Sequence, residues 1–336
     1  MNVHLLAMSN ARAITLLEKA YTRTIGDNFC IDQDPDVIEQ LLSDTRSPNT
    51  KQAYEKDMKD FFMFIAGCKP THELVLEFLH LEQRHAVALV LKYKANLIKK
   101  ELAEATVNRR LSAIKSLTAM GRKLGLCDYT LEDVKGEKVE TYRDTTGIAP
   151  EDFAKVLKLV DRDTLKGKRD YAILRLLWDN ALRRSEVCNL NIGDFNAQES
   201  TLSILGKGKG KQKEIIDLSR KTVEAITEWL IASRRTHFTR KPLFIVLAHY
   251  SNGKRLGGEA SRRLVSGLCK QAGITKQMSP HRVRHSSITT VLDNNNGNYR
   301  ATQRFSRHSS PDIVMKYDDN RQKLQKKMTD IISDLV

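Results

Sequence analysis

Apolar residues recur every three or four positions through much of the first 127 residues, which is the spacing of one helix face. The stretch SPNTKQAYEKDMKDFFMFIAG opens with residues that favour a helix N-terminus. Further helical patterns surround HELVLEFLH and AVALVLKYKANLIKK. We therefore predict a helical domain over residues 31–127, preceded by a helical extension over residues 1–30. The apolar face of the first stretch consists of Tyr54, Met58, Phe61, Phe62 and Ile65.

A second clear pattern, ATVNRRLSAIKSLTAMGRKLG, predicts a helix with Thr106 as its N-cap. One face of this helix is apolar and the other is basic. A basic face is often simply solvated, but it can also contact the phosphates of DNA. The candidate DNA-binding residues on it are Asn108, Arg109, Arg110, Lys115 and Lys123, and the apolar stripe is Val107, Leu111, Ile114 and Leu117.

Periodicity fades over residues 128–146, which predicts a linker, and a second domain follows over residues 147–318. Its first helix starts near Pro150. Two strand-like runs, TLSIL and EIIDLS, flank GKGKGKQK and predict a β-hairpin with a basic tip. Helical patterns resume at RKTVEAITEWLIAS, EASRRLVSGLCKQAG and HRVRHSSITTVLDN, and residues 319–336 form an amphipathic tail helix. The predicted fold is mostly α with a small β component.

The charge of the chain narrows the class of partner. The 336 residues include 56 Lys and Arg against 41 Asp and Glu, a net charge of +15. Such an excess suggests a polyanion such as nucleic acid, although by itself it also fits an ordinary basic protein. The five cysteines are scattered singly, which is typical of a reducing compartment. No apolar run is long enough to cross a membrane, so we expect a cytoplasmic, nucleoid-associated protein.

The segment HRVRH contains two histidines four residues apart, His281 and His285. The zinc-protease pattern needs Glu directly after the first His, and Arg282 occupies that position. An anion site suits the segment better, because Arg284 offers a bidentate fork and His281 a further donor. A structural His–Arg cluster remains an alternative for this segment alone.

Other segments supply complementary chemistry. ALRRSEVCNL contains Arg183 and Glu186, the hairpin tip contains Lys209, and RHSSPDIVMKY contains His308 and Tyr317. Arginines can stabilise the charge on phosphate oxygens, and a lysine can protonate a departing alkoxide. A tyrosine can act as the nucleophile. The set is therefore suited to phosphoryl transfer onto a side chain without a metal.

The same segments, in this order, resemble the motif boxes of the tyrosine recombinases, the phage integrase family. The resemblance covers roughly residues 45–320 and extends to SPNTKQAYEKDMKDF and TVNRRLSAIKSL, which are similar to the family's helical core-binding domain. It implies a simple, Cre-like or Xer-like enzyme that closes on duplex DNA as a C-shaped clamp. It further implies a tetramer on DNA, a 3′-phosphotyrosyl intermediate, a Holliday junction, and no metal or cofactor.

The resemblance also implies individual roles. Arg183 and Arg284 would grip the scissile phosphate, and Tyr317 would attack it. Lys209 would protonate the 5′-oxygen, although Lys207 and Lys211 flank it and either could take its place. The remaining implied site residues are His281, which would assist proton transfer, His308, which would bond the phosphate, and Glu186, an accessory residue that holds the site together.

Two features leave questions open. Arg307 precedes His308 where many relatives have Gly, so the approach of that loop to the phosphate is expected to differ. The resemblance also implies that the tail helix docks on a neighbouring protomer.

Two alternative functions are a type IB topoisomerase, which relaxes DNA without strand exchange, and a DNA-binding protein whose site is only structural. His285 is expected to be a packing residue or one that supports the site residues from behind.

Overall fold

The computed structural model describes residues 35–139, 147–206, 212–236, 239–248, 253–315, 317 and 324–335. The chain divides into two compact units, Met1–Thr141 and Tyr142–Val336. The extension predicted over residues 1–30 and the three candidate lysines of the hairpin tip lie outside the described residues. Within them, no helix is long and apolar enough to span a bilayer.

The first unit is helical throughout its regular structure. Ser47 caps the second helix by accepting a hydrogen bond from the Thr50 amide, as the sequence predicts. Phe61 and Phe62 of that helix are fully buried and make edge-to-face contacts with Phe78. The helices are α1 (Val37–Asp44), α2 (Pro48–Ile65), α3 (His72–Leu79), α4 (Gln83–Lys99) and α5 (Glu104–Lys123).

Helix α5 is the central helix of this unit and packs against α1, α2 and α4. Its predicted apolar stripe is confirmed, because Val107, Leu111, Ile114 and Leu117 are all buried. The predicted cap is wrong. The N-cap is Ala103, and the helix begins at Glu104, two residues before Thr106. Glu104 and Ala105 are both compatible with a first helical turn.

The predicted linker begins too early. Tyr129, Leu131 and Val134 are buried in the core of the first unit, and the Tyr129 hydroxyl donates to the Phe78 carbonyl over 2.7 Å. These residues anchor the segment after α5 to its own unit. Their irregular spacing within a charged stretch hides this packing from an analysis of periodicity.

The second unit is also mostly helical, with one small sheet, which confirms the predicted fold class. Strands β2 and β3 are antiparallel as predicted, and β1 adds an unpredicted short edge strand in the order β1-β2-β3. The elements are α6 (Pro150–Lys158), α7 (Leu165–Asp179), α8 (Arg184–Asn189), a 3-10 helix (Ile192–Asp194), β1 (Phe195–Asn196), β2 (Thr201–Leu205), β3 (Lys213–Asp217), α9 (Arg220–Ala232), α10 (Gly258–Gln271), α11 (Pro280–Asn294), α12 (Tyr299–Ser306), α13 (Pro311–Met315) and α14 (Leu324–Ser333).

Helix α7 crosses the core of the second unit and packs against α9 and α11. Trp229 of α9 is fully buried and donates its indole N–H to the Leu243 carbonyl over 2.8 Å. Phe153 stacks on Trp178 with ring centroids 4.3 Å apart. This packing fixes the C-terminal end of α7, from which the chain leads directly to Ala181 and Arg183.

Candidate active site

Arg183 lies immediately before α8 and is held there by Glu186. One carboxylate oxygen of Glu186 accepts from the Arg183 amide over 2.8 Å, and the other accepts from the Arg183 guanidinium over 2.7 Å. Glu186 itself is 3% exposed. The spacing of three residues seen in the sequence therefore corresponds to a two-point contact at the helix N-terminus, in which the Glu186 carboxylate accepts from both the backbone and the side chain of Arg183.

Arg284 is directed inward from α11 and is 1% exposed. Its guanidinium donates to the carbonyl of Ala181 and, over 2.5 Å, to the carbonyl of Ser306. Ala181 has a left-handed backbone with φ of 45°, an unusual conformation for a residue with a Cβ. The carbonyls that bind Arg284 thus belong to two tightly defined bends, one before α8 and one at the end of α12.

His308 connects this arginine to the tyrosine. Its Nε2 lies 3.2 Å from Arg284 Nη2 and 3.4 Å from the Tyr317 hydroxyl, while its Nδ1 lies 2.9 Å from Ser306 Oγ. Arginine can only donate, so Nε2 must be an acceptor. We assign a neutral ring with its proton on Nδ1, bonded to Ser306. The tyrosine hydroxyl can then donate to Nε2.

Tyr317 is 8% exposed and follows the short helix α13. Its ring lies against His285, with centroids 4.5 Å apart, and Thr289 Oγ1 donates to its carbonyl over 3.3 Å. His285 is therefore a packing residue behind the tyrosine, as the sequence predicts. Ala181 and Ile288 form a small buried cluster with Tyr317.

The electrostatics of the cluster favour an anion. Burial and the positive charges of Arg284, Arg183, Arg307 and His281 lower the pKa of His308 to about 4, which agrees with a neutral ring. Burial and the neighbouring arginines also lower the pKa of Arg284 to about 10. Burial opposes ionisation of Glu186, but the Arg183 amide and the nearby guanidiniums outweigh it, so the pKa of this carboxyl lies below its ordinary value.

An open cavity of about 740 Å³ adjoins the cluster. Arg183, Glu186 and His308 line it, and so does Gly206, the last described residue before the hairpin tip. Lys209 and its neighbours Lys207 and Lys211 lie beyond that point, outside the described residues. Lys213, on the other strand of the hairpin, forms an ion pair with Asp194.

Among the members of the candidate set that the structure describes, His281 is the exposed one. It lies on the first turn of α11, whereas Arg284, one turn on, is buried. A positive charge on His281 would be the smallest of the influences that lower the pKa of His308, after burial and the three arginines. In the described part of the chain, no group of three or more His, Cys, Asp or Glu side chains is placed to hold a metal ion.

Comparison with known proteins identifies the family. Residues 148–323 match the phage integrase family, and residues 38–123 match the phage integrase N-terminal SAM-like domain. A tyrosine recombinase of Synechocystis sp. is 50% identical over 301 residues, which cover 89% of this chain and 95% of that protein. The chain belongs to the phage integrase family of tyrosine recombinases.

Further similarities agree with this assignment. A tyrosine recombinase of Synechococcus elongatus is 45% identical over 304 residues, covering 90% of this chain and 95% of that protein. The XerH site-specific recombinase, solved on a palindromic difH substrate, shares the fold with a TM-score of 0.59, at 17% identity over 88% of this chain and 94% of that one. Tyrosine recombinases cleave and rejoin DNA, and the similarities favour this activity over the topoisomerase alternative.

The recombinase site contains a third arginine that the sequence analysis noted only as a departure. Arg307 caps α12, and its guanidinium reaches Glu186 and the carbonyls that precede Arg183. A sequence signal for this residue exists, since a large cation directly precedes His308. The contacts of its side chain depend on the bend of the chain and could not be predicted from residue spacing.

The candidate DNA-binding residues of α5 have different environments. The side-chain amide of Asn108 exchanges two hydrogen bonds with the backbone of Glu137. Arg109 pairs with buried Asp57, and Arg110 pairs with Asp60. Lys115 lines a groove on the same unit, and Lys123 is exposed, 3.9 Å from the carboxylate of Asp44. The basic face therefore combines internally paired residues at its start with the partly exposed Lys115 and the exposed Lys123 further along.

Proposed function

We propose that this recombinase cuts DNA by forming a covalent link between Tyr317 and a 3′-phosphate. The phenolic oxygen attacks phosphorus, and the bond from phosphorus to the 5′-oxygen breaks. The 5′-oxygen takes up a proton and leaves as a hydroxyl. A 5′-hydroxyl from a partner duplex then reverses the step, which yields a Holliday junction and, after a second round, recombinant DNA.

The observation that carries the proposal is the position of the His308 imidazole between Arg284 and Tyr317. Because Nε2 lies 3.2 Å from the first and 3.4 Å from the second, an anion bound at the arginine lies close to the nucleophile. Arg183, held by Glu186 beside the cavity, would bind a second phosphate oxygen. Charge developing in the transition state would meet donors that are already in position.

Two proton-transfer roles complete the proposal. Lys209 would donate the proton to the 5′-oxygen, with Lys207 and Lys211 as the alternatives. A lysine of this tip is supported by Gly206, which lines the cavity one residue before Lys207 and three before Lys209. His281, exposed at the start of α11, would accept the proton of Tyr317 through the bound phosphate or water. His308, with its lowered pKa, is better suited to hydrogen bonding than to accepting a proton at neutral pH.

We propose a division of labour between the two units. The first would hold duplex DNA, with Lys115 and Lys123 on phosphates and with Asn108, Arg109 and Arg110 fixing the helix that carries them. The second would perform the chemistry. We further propose that the protein acts as a tetramer in the cytoplasm, on the nucleoid. Support for assembly comes from α14 and the residues just after it, where Met328, Ile331, Ile332 and Leu335 are all more than half exposed.

The test uses a duplex that the protein itself selects from a random-sequence library. The selected duplex is prepared as a set of substrates, each with a single nick at a different position. Cleavage close to a nick releases a short strand end, which diffuses away, so the covalent adduct accumulates. Wild-type protein is expected to give a protease-sensitive adduct in denaturing gels. Tyr317→Phe removes only the nucleophilic oxygen and is expected to bind the duplex normally without forming the adduct.

Tyr171→Phe is the matched control, because it deletes a hydroxyl from the same unit at a ring that packs under Arg162. It is expected to form the adduct at the wild-type rate. An adduct that persists in Tyr317→Phe would exclude Tyr317 as the nucleophile. Failure of the wild-type protein to form any adduct, despite specific binding, would instead favour a non-catalytic DNA-binding protein.

A further inference from the structure

Arg307 occupies a backbone position that suits glycine. It follows the last residue of α12, with φ of 58° and ψ of 40°, and its amide donates to the Gln303 carbonyl over 2.7 Å. Glycine is preferred at such a left-handed helix end because a Cβ crowds the backbone there. An arginine at this position therefore calls for an explanation in terms of its side chain.

The side chain of Arg307 is 6% exposed and clamps the segment that leads to Arg183. Its Nη1 donates to the carbonyl of Asn180 over 3.0 Å, and its Nη2 donates to the carbonyl of Ala181 over 3.3 Å. Nη2 also lies 3.2 Å from the Glu186 carboxylate. One guanidinium thus joins the end of α12, where His308 follows, to the bend and first turn of α8.

Glu186 is the group shared by Arg183 and Arg307. The oxygen that contacts Arg307 is the same one that accepts from the Arg183 amide, while the other oxygen accepts from the Arg183 guanidinium. A buried carboxylate facing Arg183 alone would offset most of the positive charge that Arg183 presents to a phosphate. With Arg307 as a second cation on that carboxylate, Arg183 keeps more of its charge for the ligand.

We propose that Arg307 is a positioning residue of this recombinase: it holds the ionised Glu186 carboxylate and thereby fixes Arg183 and preserves the positive charge of the phosphate site. Its action runs through Glu186, although Arg307 also lines the cavity beside Arg183. This inference rests on the proposed function, because it assumes that Arg183 binds the scissile phosphate. It assigns a specific task to a residue that departs from the glycine expected at this point.

The primary test is Arg307→Gly, which keeps a residue suited to the backbone and removes the clamp. Cleavage is measured in single turnover at saturating protein, on the nicked duplex set described above, and affinity is measured separately by gel shift. We expect the cleavage rate constant to fall by about 10- to 100-fold, with the dissociation constant changing less than about threefold. A wild-type cleavage rate for Arg307→Gly would overturn the proposal.

Asn296→Gly is the matched control, because Asn296 also has a left-handed backbone, with φ of 56°, in the same unit but is exposed. It is expected to cleave at the wild-type rate, which separates the effect of the Arg307 side chain from that of a glycine at a left-handed position. Should Arg307→Gly not fold, as judged by circular dichroism, Arg307→Gln replaces it, since it removes the charge and retains an amide donor.

A double-mutant cycle with Glu186→Gln tests the route of action. If Arg307 acts through Glu186, the double variant should cleave no more slowly than the slower single variant. Rate losses that multiply would show that Arg307 acts independently of Glu186 and would contradict the proposal. Tyr317→Phe, run in parallel, separates the two levels of inference: an adduct from that variant refutes the proposed function, whereas a normal rate in Arg307→Gly refutes only this inference.

Discussion

The two units each contain a small cluster of arginines, and the clusters differ in their balance of charge. In the first unit, Arg109 and Arg110 face Asp57 and Asp60, so each cation has its own carboxylate. In the second, Arg183 and Arg307 both contact the carboxylate of Glu186, whereas Arg284 donates to two backbone carbonyls and lies beside His308.

This difference distinguishes structural arginines from those suited to bind a ligand. A paired arginine satisfies its charge within the fold and mainly stabilises the packing of its helices. An arginine held by neutral carbonyls keeps its charge, and the site retains an excess that an anion can neutralise. Surplus positive charge around buried, fixed guanidiniums therefore identifies the phosphate site better than the density of basic residues along the chain.

The largest effect is expected from Arg284→Lys, which keeps the charge but loses the planar fork. A lysine cannot reach the Ala181 carbonyl, the Ser306 carbonyl and His308 together. We predict that adduct formation falls at least about 100-fold, while DNA affinity changes little. Arg110→Lys, the equivalent change in the charge-balanced cluster, should leave cleavage by bound protein unchanged. Equal losses in the two variants would remove the distinction between the clusters.

Asp57→Asn tests the structural side of the comparison. Asp57 is 1% exposed, whereas the side chain of Arg109 is 41% exposed, so loss of the carboxylate leaves an arginine that can partly turn to solvent. We predict a decrease in the free energy of unfolding of about 1–3 kcal/mol, with cleavage unaffected below the melting temperature. Urea titration measures the loss, and Asp57→Asn with Arg109→Gln should recover part of it. A stability equal to wild type would contradict a structural role.

Lys115→Ala sharpens the contrast within α5, since Lys115 has no carboxylate partner among the described residues. The variant should bind all duplexes several-fold more weakly, and the slope of log affinity against log salt should fall by about 1. Arg109→Ala, in the paired part of the same helix, should alter that slope much less. A loss restricted to one base pair would indicate base reading and not a phosphate contact.

The smallest expected effect concerns the dependence of stability on pH. The pKa of His308 is about 4 in the folded protein and 6.5 in its ordinary state, so the unfolded chain binds more protons between these values. The contribution of His308 to stability is therefore fully present above pH 6.5 and is lost as pH falls towards 4. Between pH 7 and pH 5, the melting temperature should fall by about 2–4 °C more for wild type than for His308→Gln. Identical shifts would contradict the lowered pKa of His308, which results from burial and the neighbouring arginines.

Much of the candidate cluster was predictable from the sequence because its members come from short motifs with strict local geometry. Arg183 and Glu186 are one helical turn apart, and Arg284 and His285 point to the buried side of α11 because of their place after Pro280. The helix faces were predictable for the same reason, since their period depends only on local geometry. His308 and Tyr317 were predicted as members of the site, but their contact across 3.4 Å is a tertiary result.

The parts that could not be predicted depend on contacts between distant segments. Nothing in the spacing of Arg109 and Arg110 indicates Asp57 and Asp60, which lie on another helix some fifty residues earlier. The same holds for Arg307, whose partners at residues 180, 181 and 186 precede it by more than 120 positions. The burial of Tyr129, Leu131 and Val134 was missed because irregular segments pack without a period.

The most direct test of the account is to identify the residue that becomes linked to DNA. Wild-type adduct from the nicked duplex is digested with trypsin and nuclease, and the peptides are sequenced by mass spectrometry. Cleavage after Lys316 and Arg321 releases the peptide YDDNR, which contains Tyr317. The account predicts this peptide with a nucleotide phosphate on its tyrosine, attached through the 3′-end of the cut strand. A nucleotide on any other residue, or a link to the 5′-end, would contradict it.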